Sequence, residues 1–300
     1  EIKKELKKLK RGKSTGPDEI PNEVMIEADR HTLSIMARIF NGILRNGTKP
    51  KSWDDGIITR IYKGKGKMGQ CSNERGITVS SNIGKLYERI INERCREKVT
   101  KTNAQAGGEP GRSTVDHLLV MKEAIDSSLK AKKKEKKPVY MAFLDVTKAY
   151  DKAWLNGMMS VLYRNGVNDY LWKQIYMLNT NLSAKIKTKH GVTRQIKIKD
   201  SIRQGGVLSV MLYALLMDEI AKEVEGKELG IKIEGTNQTV GCLLWMDDVV
   251  LLHNTPEGLQ ELLDITNNFA KKYHVEFGKE KSKTMIIGKQ EDHNIFKLGD

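Results

Sequence analysis

Cysteine is scarce in this 300-residue chain. Cys71, Cys95 and Cys242 stand far apart, and no two fall in a C-x-x-C spacing. That excludes a disulfide framework and a Cys-based zinc site, and predicts a reducing compartment. Long apolar runs are missing too. None reaches the ~18 residues that would read as a membrane span, there is no secretory signal, and no membrane partner is expected. Acid is short relative to base, with 38 Asp and Glu against 52 Lys and Arg. The resulting net charge of +14 and pI near 9.5 favour a polyanionic partner, most often nucleic acid. No internal repeat appears at solenoid periods. A phosphate loop is also absent. Gly12-Lys13-Ser14 has Lys8 where that motif needs a glycine, and no apolar strand precedes it. Glu1 opens the charged helical pattern EIKKELKKLKRGKS without an initiator Met, so a segment of a longer protein is expected.

What is present suffices for a folded core. Hydrophobic residues make up 39% and charged residues 30%, ordinary for one large domain or two smaller ones. Helical spacing predicts helices over 1–10, 22–46, 80–99, the segment before 129, 153–167 (stopping at Asn165-Gly166), 207–226 and 258–275. Residues 12–21 are a loop. A strand runs within 54–69 into a basic, Gly-rich turn, and others fall at 139–146, 231–235, 243–253 and 281–289. Alternating runs around His190-Gly191 predict a hairpin over 183–202. LKAKKKEKKPV (129–139) reads as a solvated charge block. The mixture predicts an α+β fold with antiparallel hairpins.

Two of the apolar strands carry acids. LLWMDDVVLL (243–252) is apolar except for Asp247 and Asp248, and MAFLDVTKAYD (141–151) places Asp145 at the end of an apolar run. Burying ionised carboxylates costs several kcal/mol unless they are paired or bind a metal. Alternation along a strand would send Asp247 and Asp248 to opposite faces, with Asp248 turned away. If the two strands are neighbours, three carboxylates meet at one sheet edge. Carboxylate oxygens are what Mg2+ selects, and a pair of such ions can clamp a phosphoryl transfer.

FLDVTKAYD resembles the first catalytic motif of reverse transcriptases, and LLWMDDVVLL resembles the motif with the paired aspartates. IRQGGVLSVMLYALLMDEI (202–220) is similar to the motif between them, and FGKEKSKTMIIG to the one after. Upstream, GKSTGPDEIPNEVM, WDDGIITRIYKGKG, NERGITVSSNIGKLYERIINER and GRSTVDHL resemble fingers segments of the non-LTR (LINE-type) retrotransposon enzymes; group II intron enzymes are more distant relatives. Order and spacing match over nearly the whole chain. The resemblance implies a right-hand polymerase fold. Fingers and an N-terminal extension would occupy 1–138, and a palm with interleaved elements 139–300. An antiparallel palm sheet would pack on helices, and the thumb would be mostly absent.

The resemblance also implies roles. Asp145, Asp247 and Asp248 would hold two Mg2+ ions (Mn2+ as a substitute), helped by the main-chain carbonyl of Val146. Tyr150 would be the steric gate against a ribose 2′-hydroxyl. Gln204 and Gly205 would support the nascent base pair, Lys63 and Arg75 would grip the triphosphate, and Lys281 would act as general acid. The implied activity is RNA-directed DNA polymerisation in retrotransposition, with an RNA template, a DNA primer and dNTPs as partners. Oligomeric state is left open, and the setting implied by the element type is the nucleus. The alternatives are a catalytically decayed or maturase-like RNA-binding relative, and an RNA-dependent RNA polymerase, against which Tyr150 weighs. Departures from the pattern are Trp245 at an aromatic position, Glu74 before Arg75, Gly107-Gly108 where Gly-Phe is usual, Gly278 at a usual Asn, and Val207 and Val210 at usual prolines. Loss of the prolines is expected to loosen the 203–206 turn by about 0.5–1 kcal/mol.

Overall fold

The computed structural model describes residues 1–129, 136–199, 201–288 and 296–299. Most of the 129–139 charge block, and residue 200 of the expected hairpin, therefore lie outside the described residues. In chain order the described elements are α1 (Ile2–Leu6), α2 (Asn22–Ile26), α3 (Arg30–Asn46), β1 (Asp55–Tyr62), β2 (Glu74–Ser80), α4 (Asn82–Arg96), α5 (Thr114–Leu129), β3 (Val139–Asp145), α6 (Leu155–Arg164), α7 (Asp169–Asn179), β4 (Ser183–Thr188), β5 (Gly191–Val192), β6 (Ile196–Lys197), α8 (Val207–Gly226), β7 (Ile231–Lys232), β8 (Thr239–Val240), β9 (Cys242–Trp245), β10 (Asp248–His253), α9 (Pro256–Tyr273) and β11 (Lys283–Ile287). Among the described residues no helix is long and apolar enough to cross a membrane.

The chain forms two compact units. The first takes Glu1–Thr100 and Met158–Met211; the second takes Lys101–Gly157 and Leu212–Asp300. This is a different cut from the one expected at 138, because α5 belongs with β3 rather than with the segments before it.

In the first unit a sheet runs in the order β2-β1-β4-β5, with β6 also on β4. β1 and β2 are antiparallel, whereas β4 lies parallel to β1. A cluster of Phe40, Trp53 and Tyr87 rings, 5.2–6.3 Å apart, fills the helical side. The buried Tyr87 hydroxyl donates to Gln174 Oε1 at 2.8 Å. The expected helix over 22–46 is broken after Ile26. Asp29 takes an extended conformation there, and its carboxylate accepts from the Thr32 N–H at 2.7 Å. An acid that caps a new N-terminus wins over continuation of the old helix.

The second unit holds an antiparallel sheet in the order β11-β3-β10-β9. β3 is buried on both faces, as its nearly unbroken apolar run requires. Val139 and Met141 pack in one cluster with Ala124 of α5, Ile231, Leu243 and Leu252, and Phe143 joins its margin. Tyr140, Ala142 and Leu144 alternate onto the other face.

Candidate active site

The register of the second unit brings the acids together. Asp145 ends β3, and it is directly opposite Asp248, the first residue of β10. Directly opposed residues of an antiparallel pair project to the same face. Asp248 is therefore on the Asp145 side, which corrects the expectation that it turns away. Asp247 is not on a strand at all. It is the second residue of a two-residue turn, Met246-Asp247, closed by the Trp245–Asp248 pair. Met246 carries the left-handed backbone of that turn at φ 58°. Strand alternation failed as a guide because the hairpin reverses inside the apolar run.

A segment that sequence reasoning marked only for its Gly107-Gly108 departure holds the turn. Residues 104–107 lie along β9: Leu244 N–H donates to Ala104 O at 2.8 Å, and Ala106 N–H to Leu244 O at 3.1 Å. Gln105 Oε1 accepts from the N–H groups of both Gly107 (2.9 Å) and Met246 (3.2 Å). A Cβ on Gly107 would lie 2.3 Å from the Met246 nitrogen. The small residues of QAGG were the available signal. Trp245 meets His117 edge to face at 6.2 Å.

Asp145 is pinned from the other side. Gly278 N–H donates to Asp145 O at 2.8 Å, and Thr147 N–H to Glu276 O at 2.7 Å. These bonds flank Val146, so its own carbonyl points away from the Phe277 strand. A tight turn follows, with Lys281 and Ser282 N–H donating to Gly278 O. It sets the Lys281 ammonium 2.7 Å from Asp145 Oδ2. A Cβ on Gly278 would stand in ordinary contact with that oxygen at 3.6 Å and more tightly, at 3.2 Å, against Thr147 Oγ1.

Charge at the hairpin end is only partly balanced. Burial, then the Asp247 and Asp145 carboxylates, push the Asp248 carboxyl above its usual range, against Lys281. Tyr150 stacks on Tyr213 of α8, ring centroids 5.4 Å apart. Burial raises the pKa of both phenols, and the Asp247 charge adds to it. By donor chemistry the three acids fit a hard divalent cation: all offer oxygen, Asp145 and Asp248 are anchored by backbone pairing at one sheet end, and Asp247 stands in the adjoining turn. As placed, though, no group of three or more His, Cys, Asp and Glu among the described residues stands close enough to hold a metal ion. One Asp145 oxygen is taken by Lys281.

The other site residues fall in the first unit. Arg75 on β2 faces Ile61 across the ladder. Lys63, one residue past the end of β1, donates its N–H to Asn73 O at 2.9 Å and its Nζ to Ser72 O at 2.8 Å. The Arg-Gln-Gly-Gly turn is locked from four directions. The buried Arg203 guanidinium donates to the carbonyls of Trp53 (2.8 Å) and Asp54 (2.6 Å). Gln204 O accepts from Thr78 N–H at 2.8 Å. Gly205 sits at φ 112°, where a Cβ would be 2.8 Å from Thr78 O. Val207 N–H, at the start of α8, donates to the Glu88 carboxylate at 3.0 Å. A proline could not make that last bond, so the expected loosening at 207 meets a compensating contact.

The profile of the family "Reverse transcriptase (RNA-dependent DNA polymerase)" matches residues 61–299. The RNA-directed DNA polymerase of the mobile element jockey from Drosophila melanogaster is 26% identical over 297 residues, covering 94% of this chain and 31% of that protein. The Pol polyprotein of the R2 retrotransposable element from Popillia japonica is 27% identical over 227 residues, covering 75% and 31%. The chain spans about a quarter to a third of the length of these curated relatives. Among solved structures, telomerase from Candida albicans matches with a TM-score of 0.60 at 13% identity, over 88% of this chain and 47% of that one. At such identity the likeness speaks to the fold, which is the α+β right-hand polymerase fold.

Proposed function

This chain belongs to the reverse transcriptase family of RNA-dependent DNA polymerases, and on that premise we propose that it extends a primer 3′-hydroxyl with dNTPs along an RNA template, in retrotransposition. The observation that carries the reading is the Asp248–Asp145 register, with Asp247 in the adjoining turn. Asp145, Asp247 and Asp248, with the Val146 carbonyl, would hold Mg2+, or Mn2+ in its place. When bound, the metal supplies Lewis-acid charge to the reacting phosphate and hydroxyl oxygens. The protein's own groups do the rest. Lys281, whose ammonium is 2.7 Å from Asp145 Oδ2, would donate a proton to a leaving pyrophosphate. Tyr150, backed by Tyr213, would close the space that a 2′-hydroxyl needs, so Tyr150→Val is expected to admit ribonucleotides. Lys63 and Arg75 would grip the triphosphate, Arg by a bidentate fork. Gln204 and Gly205 would present backbone to the nascent base pair. The telomerase relative is described in complex with an RNA fragment, which supports RNA as the template; a nuclear setting is part of the same reading.

A second reading is an RNA-binding relative without polymerase activity. It draws on the carboxylates that do not converge and on the Lys281 ammonium at Asp145. Primer extension on poly(rA)/oligo(dT) with Mg2+ separates the two. The polymerase reading expects incorporation by the wild type and none by Asp247→Ala. Incorporation unaffected by the substitution would overturn the assignment of the acids, and none by either protein would favour the binding-only relative.

A further inference from the structure

One stretch of the first unit concentrates positive charge in residues given no role above. Lys185, Lys187, Lys189, Arg194, Lys197 and Lys199 stand in residues 183–199, with no Asp or Glu among them. All six are exposed, and among the described residues none is paired with a carboxylate. Register gathers three of them. β4 pairs with β1 as Ile57↔Lys185 and with β6 as Ser183↔Lys197. Lys185, Lys187 and Lys197 therefore share one sheet face with Asp55 and Ile57. The Ser183 hydroxyl, which donates to Asp55 Oδ1 at 2.6 Å, lies on that same face.

A cavity of about 540 Å³ opens beside this face, lined by Ser14, Thr15, Lys185, Lys187, Val192 and Gln195 among others. One wall is the GKSTG loop that failed as a phosphate loop. The loop is fixed to the sheet because Gly16 abuts the Ser80-Ser81 backbone, where a Cβ would be 2.5 Å from Ser80 C. Two acids also line the cavity, Glu19 and Asp55. Asp55 is already engaged by Ser183 and Gln195.

We propose that this cleft is a binding site for a single strand of nucleic acid, held by its phosphates. Lys185 and Lys187 in the cleft, with Lys197 beside them on β6 of the same sheet face, neutralise phosphate charge, and the Ser14 and Thr15 hydroxyls donate to phosphate oxygens. Residues 183–199 contain no Phe, Trp or Tyr, so no aromatic ring there stacks on a base. Binding is therefore indifferent to sequence and steep in salt. The proposal rests on the polymerase reading only for its choice of partner, and the residues of the cleft are not the proposed catalytic ones.

The test is fluorescence anisotropy of labelled oligo(rA) and oligo(dA) with the 300-residue chain across a salt series. Replacing Lys185, Lys187 and Lys197 together with Ala is expected to weaken binding at least tenfold. It should also flatten log K against log salt by about 2, at ~0.7 per cation for single strands. Losses on both oligonucleotides indicate recognition of the shared phosphate backbone; a loss on RNA alone indicates an RNA strand. The triple Lys→Arg protein, which keeps the charge, should bind like wild type, and unchanged thermal melts show that the fold is intact. The proposal is overturned if the slope does not change, if removing the exposed Lys3, Lys7 and Lys10 has the same effect, or if poly-glutamate competes as well as nucleic acid. Asp247→Ala keeps the two readings apart: it is expected to abolish incorporation while leaving this slope in place.

Discussion

Two short turns carry the motifs of this chain, and they are built in opposite ways. The Arg-Gln-Gly-Gly turn of the first unit is closed by hydrogen bonds within that unit: guanidinium on two carbonyls, Gln204 carbonyl on Thr78, Val207 N–H on Glu88, with Arg203 Nε alone left buried without a partner among the described residues. The Met246-Asp247 turn of the second unit is pinned through its backbone by Gln105, yet the Asp248 carboxyl beside it is pushed up in pKa by burial and then by the Asp247 and Asp145 charges. A turn whose hydrogen bonds close on themselves is scaffold. A turn whose backbone is fixed while like charges crowd beside it carries an electrostatic cost that the scaffold turn lacks. The two should respond differently to substitution.

The largest separation is expected at Asp247. Asp247→Ala removes a charge from the crowded end, so the melting temperature should hold within a few degrees. Nucleotide incorporation should fall on the order of a thousandfold, because several kcal/mol of transition-state stabilisation go with the charge. Paired measurements of melting and primer extension check this, and a large drop in melting temperature would mean that the acid is structural. At the scaffold turn the effects should reverse. Arg203→Met leaves the Trp53 and Asp54 carbonyls without their donor at a buried position. A loss of about 3 kcal/mol in unfolding free energy is expected, read by urea denaturation.

The contrast also marks what the sequence made legible. The acids, the RQGG turn and most helices could be read because their signals are local: an apolar run interrupted by charge, adjacent glycines, a 3.6-residue period. The side on which Asp248 projects could not be read, because the hairpin turns inside an unbroken apolar run, and only the register with β3 decides it. Gln105 was equally hidden. Its role depends on lying beside Leu244, 139 positions away, and no local pattern announces that. The parallel pairing of β4 on β1 joins segments just as distant, 128 positions apart at Asp55 and Ser183. In contrast, α7 was missed although Leu171, Ile175 and Leu178 stand at helical spacing and are buried, and β2 was passed over as part of a motif.

Another acid of the second unit has a raised pKa although it is well partnered, and pH reports on it. Asp218 is fully buried on α8 and accepts from the Thr102 hydroxyl at 2.6 Å and the Thr102 N–H at 3.1 Å, with Lys222 3.6 Å away. Burial still raises its pKa, outweighing those partners. The folded state thus binds the proton more tightly than the unfolded chain, whose Asp titrates near 3.9. Stability should fall as pH rises from about 4 through the raised folded value, then level off. Asp218→Asn is expected to reduce that slope in melts taken across the range, leaving the part owed to the other raised carboxyls, Asp248 and Glu225. A slope unchanged by the substitution would assign it to those groups alone.

The smallest effect tests the compensation at Val207. Proline there would restrict the unfolded chain and stabilise by about 0.4–1 kcal/mol if nothing else changed. It would also delete the N–H that donates to the Glu88 carboxylate at 3.0 Å. A hydrogen bond to a charged group is worth about 1.5–3 kcal/mol, and its loss leaves a part-buried carboxylate oxygen without that donor. The second effect is the larger, so Val207→Pro should destabilise by roughly 1 kcal/mol, a fall of a few degrees in melting temperature. The same substitution made in a Glu88→Gln background should cost less, since the neutral amide oxygen accepts more weakly. The difference between the two is the coupling energy of the pair. A Val207→Pro protein that melts higher than wild type would mean that the Glu88 contact contributes little, and the scaffold turn would then owe its rigidity to Arg203, Thr78 and Gly205 alone.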